Sequence, residues 1–127
     1  MRLALDTNVY ADFARGDAQV TDTLERAEEV HLPFVVLAEL RAGFAAGTRT
    51  KENALGLQRF LATPGVGVVY ATDATTRCYA SLYRQLRAQG TPIPTNDLWI
   101  ASLVVEHGLR LYTRDRQFDC LGQLDLV

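Results

Sequence analysis

The chain opens on a short apolar run, Arg2-Leu3-Ala4-Leu5, that stops abruptly at Asp6-Thr7-Asn8. The run predicts a buried strand ending at Asp6, and Thr7 to about Ala14 predicts a helix that closes near Gly16. A second helix starts at Asp17 and carries Val20, Leu24 and Ala27 at helical spacing. Val30-His31-Leu32-Pro33 predicts another short strand. Pro33 suits only its end, because proline has no N–H to give a strand ladder. Phe34 to Ala45 is apolar around a single acid, Glu39, and Leu37, Leu40 and Phe44 fall on one helical face. Thr48 to Leu61 predicts a partner helix with Leu55, Leu57, Phe60 and Leu61 as its apolar positions. Pro64-Gly65 ends this hairpin.

The second half repeats the alternation. Val66-Gly67-Val68-Val69-Tyr70 is a β-branched run bounded by turn residues, which predicts a strand. Asp73 reads as the N-cap of a helix whose Ala74, Cys78, Leu82 and Leu86 step by four, with Gly90 as its closing residue. Thr91 to Thr95 carries two prolines and predicts a rigid extended loop. Asn96-Asp97 then opens an apolar helix, Leu98 to Glu106, ended by Gly108. Leu109 to Thr113 predicts a strand, Arg114 to Phe118 a turn, and Leu124 to Val127 a last strand. Strands alternating with helices predict a three-layer α/β/α fold with a short, mostly parallel central sheet. Without linkers, repeats or low-complexity stretches, residues 1–127 read as one domain.

Composition narrows the function less than it narrows the fold. A hydrophobic content of 48% is enough to bury a core without staples. A net charge of -2 does not advertise a nucleic-acid binder, although acids gathered at one site would leave the remaining surface more basic than the total. Lys51 is the one lysine among 13 basic residues. Arginine forks phosphate where lysine acts as a point charge; codon bias explains the same imbalance. Cys78 and Cys120 lie far apart in the sequence, which supports neither a disulfide framework nor a zinc site and suggests a reducing cytoplasm. The apolar runs are too short for a signal peptide or a membrane span.

Four carboxylates stand inside or directly against apolar sequence: Asp6, Glu39, Asp97 and Asp115. Asp6 and Asp115 follow strands, Asp97 opens a buried helix, and Glu39 lies in the helix after the second strand. Right-handed crossovers bring all these points to one edge of a parallel sheet, where open α/β folds bind ligands. Carboxylates gathered there raise one another's pKa, and a divalent cation relieves the repulsion. An all-oxygen set suits Mg²⁺ or Mn²⁺ better than Zn²⁺, and such a centre can activate water against a phosphodiester. Thr7, Asn8, Asn96 and Thr113 are short polar neighbours suited to orienting the carboxylates. Arg84, Arg87, Arg110, Arg114 and Arg116 are candidates for a phosphate track, or simply a solvated basic face.

Each acid also has an ordinary reading. Asp6 and Asp97 suit helix starts, Asp115 suits a turn, and Glu39 suits solvent. The functional reading rests on their coincidence at one edge. His31 and His107 have no nucleophile near them in the sequence and read as structural. The chain has neither a GxSxG nor a GxxxxGK[ST] motif. An aspartyl-phosphate phosphatase built on Asp6 expects a second Asp where Asn8 stands, and a lysine that only Lys51 can supply. A non-catalytic fold that docks RNA or protein is the alternative from another class.

Leu5-Asp6-Thr7-Asn8, Leu37-Ala38-Glu39-Leu40, Asn96-Asp97-Leu98-Trp99-Ile100-Ala101 and Thr113-Arg114-Asp115 with Phe118 together resemble the PIN-domain ribonucleases. Within that family the chain is most similar to the VapC-type toxins of bacterial toxin–antitoxin pairs. The resemblance spans nearly the whole chain. It implies an endoribonuclease that depends on Mg²⁺ or Mn²⁺, with Asp6, Glu39, Asp97 and Asp115 at the family's acidic positions. Asp6 and Asp97 match the direct metal ligands, Thr113 the hydroxyl position before the last acid, and Asn8 the polar position after the first. Asp119 is the substitute for Asp115. The resemblance further implies a homodimer, built here on Phe34 to Phe44 and the helix from Asp73 to Gly90, and a cognate antitoxin that wraps the toxin and fills its cleft.

Overall fold

A computed structural model describes residues 1–127. Five strands form one sheet: β1 (Arg2–Leu5), β2 (Glu29–Pro33), β3 (Val66–Val69), β4 (Arg110–Tyr112) and β5 (Asp125–Leu126). Their order across the sheet is β3-β2-β1-β4-β5, and every neighbouring pair is parallel. Six helices connect them: α1 (Thr7–Ala14), α2 (Ala18–Arg26), α3 (Phe34–Ala46), α4 (Thr50–Leu61), α5 (Asp73–Gln89) and α6 (Thr95–His107). A 3₁₀ turn, Arg116–Cys120, follows β4.

The strand order locates the site. The chain leaves central β1 toward β2 and β3, then returns past it to β4 on the other side. The connections therefore diverge between β1 and β4, and the crevice beyond their carboxyl ends is the topological switch point of the sheet. Right-handed crossovers place α1 to α4 on one face and α5 with α6 on the other. The three-layer expectation holds, and the sheet is wholly parallel.

One core holds both layers together. Leu3 and Leu5 of β1, Leu32 of β2, Leu111 of β4, Ile100 and Leu103 of α6, and Phe118 of the 3₁₀ turn are fully buried. Side chains on both faces of β1 are inaccessible, as expected of a central parallel strand covered by helices. Phe13, Tyr10 and Phe60 form an aromatic cluster where α1 meets α4, with ring centroids 5.2 Å apart in the Tyr10–Phe60 and Phe13–Phe60 pairs.

Several sequence expectations shift at element ends. The N-cap of α5 is Thr72, not Asp73. Thr72 and Thr75 exchange capping bonds, and Asp73 falls into the first turn, where it pairs with Arg77 at 3.1 Å. Thr75, rather than Ala74, is the buried position there, and its hydroxyl donates to Glu106 at 2.5 Å. Helix α4 begins at Thr50 rather than Thr48, so Lys51 is an exposed first-turn residue. Leu55 faces solvent. Tyr70 lies outside β3 and is exposed. Helix α6 starts at Thr95 after Pro94, so Asp97 is a first-turn acid and not a cap. Gly90 and Gly108 close α5 and α6 at φ 71° and 62°, a left-handed conformation that glycine adopts without penalty.

Candidate active site

Asp6 is both a helix cap and the buried centre of the site. Its backbone N–H donates to the carbonyl of Tyr112 at 3.0 Å, which sets the end of β1 beside the end of β4. Its carboxylate caps α1, with Oδ1 accepting from the Thr7 amide at 2.8 Å. Oδ2 accepts from the Thr113 hydroxyl at 2.7 Å. A buried carboxylate needs such partners, and each oxygen still has a lone pair free for a ligand. Capping and a functional role are therefore compatible on this one side chain.

The other three carboxylates gather round it from different elements. Glu39, on α3, is exposed, and its Oε1 accepts from the Thr7 hydroxyl at 3.0 Å. Thr7 thereby links the Asp6 and Glu39 carboxylates. Asp115 caps the 3₁₀ turn through the Gln117 amide at 2.9 Å. Its own amide donates to Thr113 Oγ1 at 2.9 Å, so Thr113 serves two of the acids. Asp97, half-buried on the first turn of α6, has its pKa pushed up to about 6 by burial first, then by the charges of Asp115, Asp6 and Glu39. Asp115, Asp6 and Glu39 thus all act on Asp97 electrostatically, and no cation is among the influences on it.

The donor set fits a hard divalent cation. It consists of carboxylate oxygens held by hydroxyl and amide donors, without histidine or thiolate, which is the chemistry that Mg²⁺ and Mn²⁺ select. No three of the acids are closed round a common point tightly enough to hold an ion as they stand.

The remaining candidates divide. The Asn8 side-chain oxygen accepts from the Arg114 amide at 3.4 Å, so it steadies the loop after β4 rather than a carboxylate. Asn96 is exposed beside Asp97. Asp119 is exposed and lies 3.8 Å from Arg116, and the acid acting on Asp97 from this segment is Asp115. The expected arginine track is broken up. Arg110 pairs with Asp125 at 3.0 Å and Arg116 lies against Asp119. Arg114 pairs with Asp12 and lies 3.8 Å from Asp17. Arg84 and Arg87 are exposed on α5. Arg87 lines a groove with Tyr83, Leu86, Gly90, Pro92, Ile93 and Leu98 that reaches the residue next to Asp97. His31 bonds Glu29 at 2.9 Å and His107 lies 3.5 Å from Glu106, both as structural partners.

Two features escaped the sequence reading. Asp12 gave no signal beyond sitting in the segment after Asp6. The link from Thr7 to Glu39 joins residues 32 positions apart, which spacing alone cannot reveal.

Residues 3–123 match the PIN domain family. The chain is 32% identical to the VapC ribonuclease Y4jK of Sinorhizobium fredii, with 98% of this chain and 95% of that protein covered. It is 33% identical to the plasmid stability protein StbB of Pseudomonas syringae pv. tomato, covering 89% and 87% of the two chains. Among solved structures, VapBC2 from Rickettsia felis, bound to a DNA fragment from its promoter, superposes with a TM-score of 0.90 at 25% identity, covering 100% of this chain and 98% of that one. With its four carboxylates at the switch point of a 3-2-1-4-5 parallel sheet, this chain belongs to the PIN-domain family and, within it, to the VapC group.

Proposed function

We propose that this protein is a divalent-metal-dependent endoribonuclease and the toxin half of a toxin–antitoxin pair. The observation that carries the reading is the convergence of Asp6, Glu39 and Asp115 on Asp97, whose pKa is raised to about 6 by burial and by their charges. The VapC ribonuclease name of a relative matched over nearly its whole length supports the activity. The VapBC complex to which the fold is similar supports an antitoxin partner.

Asp6 and Asp97 would hold Mg²⁺ or Mn²⁺, and Glu39 and Asp115 would complete or adjust the site. Such an ion supplies an activated water and neutralises charge at the scissile phosphodiester. The chain's own groups do the rest. Thr113 keeps Asp6 and Asp115 in register, and Thr7 keeps Glu39 facing Asp6. Arg87, with Arg84 behind it on α5, would meet RNA phosphates arriving along the groove toward Asp97. The antitoxin would sit in a groove of about 640 Å³ between α1, α3 and α4, lined by Tyr10, Phe13, Leu40 and Phe44 with Arg15 and Arg49. The face bearing Phe34, Trp99 and Tyr79, whose rings adjoin across three helices, would receive a second copy of the chain.

Purified protein incubated with cellular RNA and Mg²⁺ or Mn²⁺ tests the activity. Discrete cuts by the unmodified protein, lost on chelation and lost in Asp6→Asn, are the expected result. Full cleavage by Asp6→Asn would overturn the assignment. Cleavage by neither protein, with no Mn²⁺ bound in a titration, would leave a non-catalytic binding module as the reading.

A further inference from the structure

Arg114 stands between Thr113 and Asp115, in a stretch that belongs to neither β4 nor the 3₁₀ turn. Its long-range side-chain hydrogen bonds run to one helix, and the Arg114 guanidinium also lies 3.8 Å from Asp17, the cap of α2. The Thr113 hydroxyl reaches Asp6, the cap of α1. The Arg114 amide reaches Asn8. The Arg114 guanidinium donates through Nε to Asp12 Oδ2. A helix is a rigid rod, so attachments at its cap, first turn and second turn fix the orientation of whatever they hold.

Asp12 is prepared for this contact. Its Oδ1 takes Arg15 at 2.5 Å, leaving Oδ2 for Arg114. Its side chain is only 18% exposed, against 49% for Arg114. Hydrogen bonding to Arg114 holds the Asp12 carboxyl below its ordinary pKa, and the same contact raises that of Arg114. Both partners are therefore charged at neutral pH. With its charge answered by Asp12, Arg114 is a poor candidate for the phosphate contact that the sequence suggested.

We propose that Asp12 and Arg114 are positioning residues: their ion pair pins Thr113–Asp115 to α1 and so sets where Asp115 stands relative to Asp6 and Asp97. The inference rests on the metal-dependent reading above for its consequence, but the pinning itself is a property of the metal-free chain. Groups that orient metal ligands commonly control affinity as strongly as a weak ligand does.

Two measurements test it. Hydrogen exchange on the metal-free protein reads the pinning, and Mn²⁺ titration reads its effect. In Asp12→Ala and Arg114→Ala, the Asp115 and Gln117 amides exchange roughly tenfold faster while the core amides of β1 and α6 keep their protection. Mn²⁺ binds roughly tenfold more weakly in both variants, and Arg114→Lys restores most of the affinity. In an Asp115→Asn background, removing Arg114 costs no further affinity. Unchanged exchange at Asp115 and Gln117 would overturn the proposal. So would unchanged Mn²⁺ affinity together with a raised KM for RNA, which is the signature of a phosphate contact. Failure of the unmodified protein to bind Mn²⁺ would sink the metal reading, and the exchange data would still decide the pinning.

Discussion

The Thr113 hydroxyl donates to Asp6 Oδ2 across 2.7 Å, joining the residue after β4 to the residue after β1 over 107 positions of sequence. The same oxygen accepts the Asp115 amide at 2.9 Å. One small side chain therefore orients the buried acid and anchors the loop acid. Thr113→Val keeps the shape but removes both bonds. It is expected to weaken Mn²⁺ binding by roughly ten- to a hundredfold and to slow RNA cleavage in parallel, whereas Thr113→Ser keeps both near the starting level. Isothermal titration with Mn²⁺ checks this, and wild-type affinity in Thr113→Val would show that the tie plays no part in the site.

Asp97 carries a stability cost in the metal-free protein. Its folded pKa of about 6 lies above the ordinary 3.8. The unfolded chain therefore gives up this proton more readily than the folded one, and stability is lost as pH rises from about 4 through about 6. Replacing the acid by its neutral isostere relieves that loss. At pH 7.5 Asp97→Asn is expected to stabilise the metal-free protein by roughly 1 kcal/mol, a figure reduced for solvent screening of a half-exposed group. At pH 5 about half of that gain remains, because the folded carboxyl is then largely protonated while the unfolded one is already ionised, and the gain vanishes only below the unfolded pKa. Thermal melts of both proteins in chelator at the two pH values give the comparison. An equal gain at both would rule out Asp97 as its source.

Protons compete with metal at the same carboxylate. Mn²⁺ affinity of the unmodified protein is expected to be level above about pH 7 and to fall as pH drops through about 6, approaching a tenfold loss per pH unit below it. RNA cleavage under subsaturating metal follows the same curve. A flat affinity between pH 5 and 8 would exclude Asp97 as a ligand.

Thr75 and Glu106 lie away from the four acids, so their coupling is a control on stability alone. Thr75 is fully buried, accepts the Thr72 amide at 2.9 Å and donates to Glu106. Thr75→Val removes the acceptor of the Thr72 amide and the hydroxyl donor to Glu106. The expected loss is about 1–3 kcal/mol in denaturant unfolding, with Mn²⁺ affinity unchanged. An altered affinity would reveal coupling through α5 and α6 to the site.

Much of this protein is legible in its sequence. Apolar runs cut by Asp6 and Pro33, and glycines at 90 and 108, set the alternation of strands and helices, because buried strands and helix stops have local chemical signatures. The four acids stood out for the same reason: a carboxylate against apolar sequence is locally anomalous. Element ends were less legible. Thr72 rather than Asp73 caps α5 because the reciprocal bond with Thr75 decides the start, and two plausible caps side by side look alike in sequence.

What only the tertiary structure decided is which of the charged groups meet. Glu39 is exposed, as its ordinary reading had it, yet it is bonded to Thr7 beside Asp6. Arg114 looked like a phosphate ligand, yet Asp12 takes its charge. Asp115 rather than Asp119 acts on Asp97, a choice spacing left open. The physical reason is that local propensity depends on neighbours within a few positions, whereas hydrogen bonds and Coulombic shifts depend on distance in space. The 3-2-1-4-5 order of the sheet brings residues about a hundred positions apart within 3 Å. The sequence by itself determined that Asp6, Asp97 and Asp115 would stand where strands end or helices begin. The parallel pairing of β4 beside β1 determined that Asp6 and Asp115 meet through Thr113.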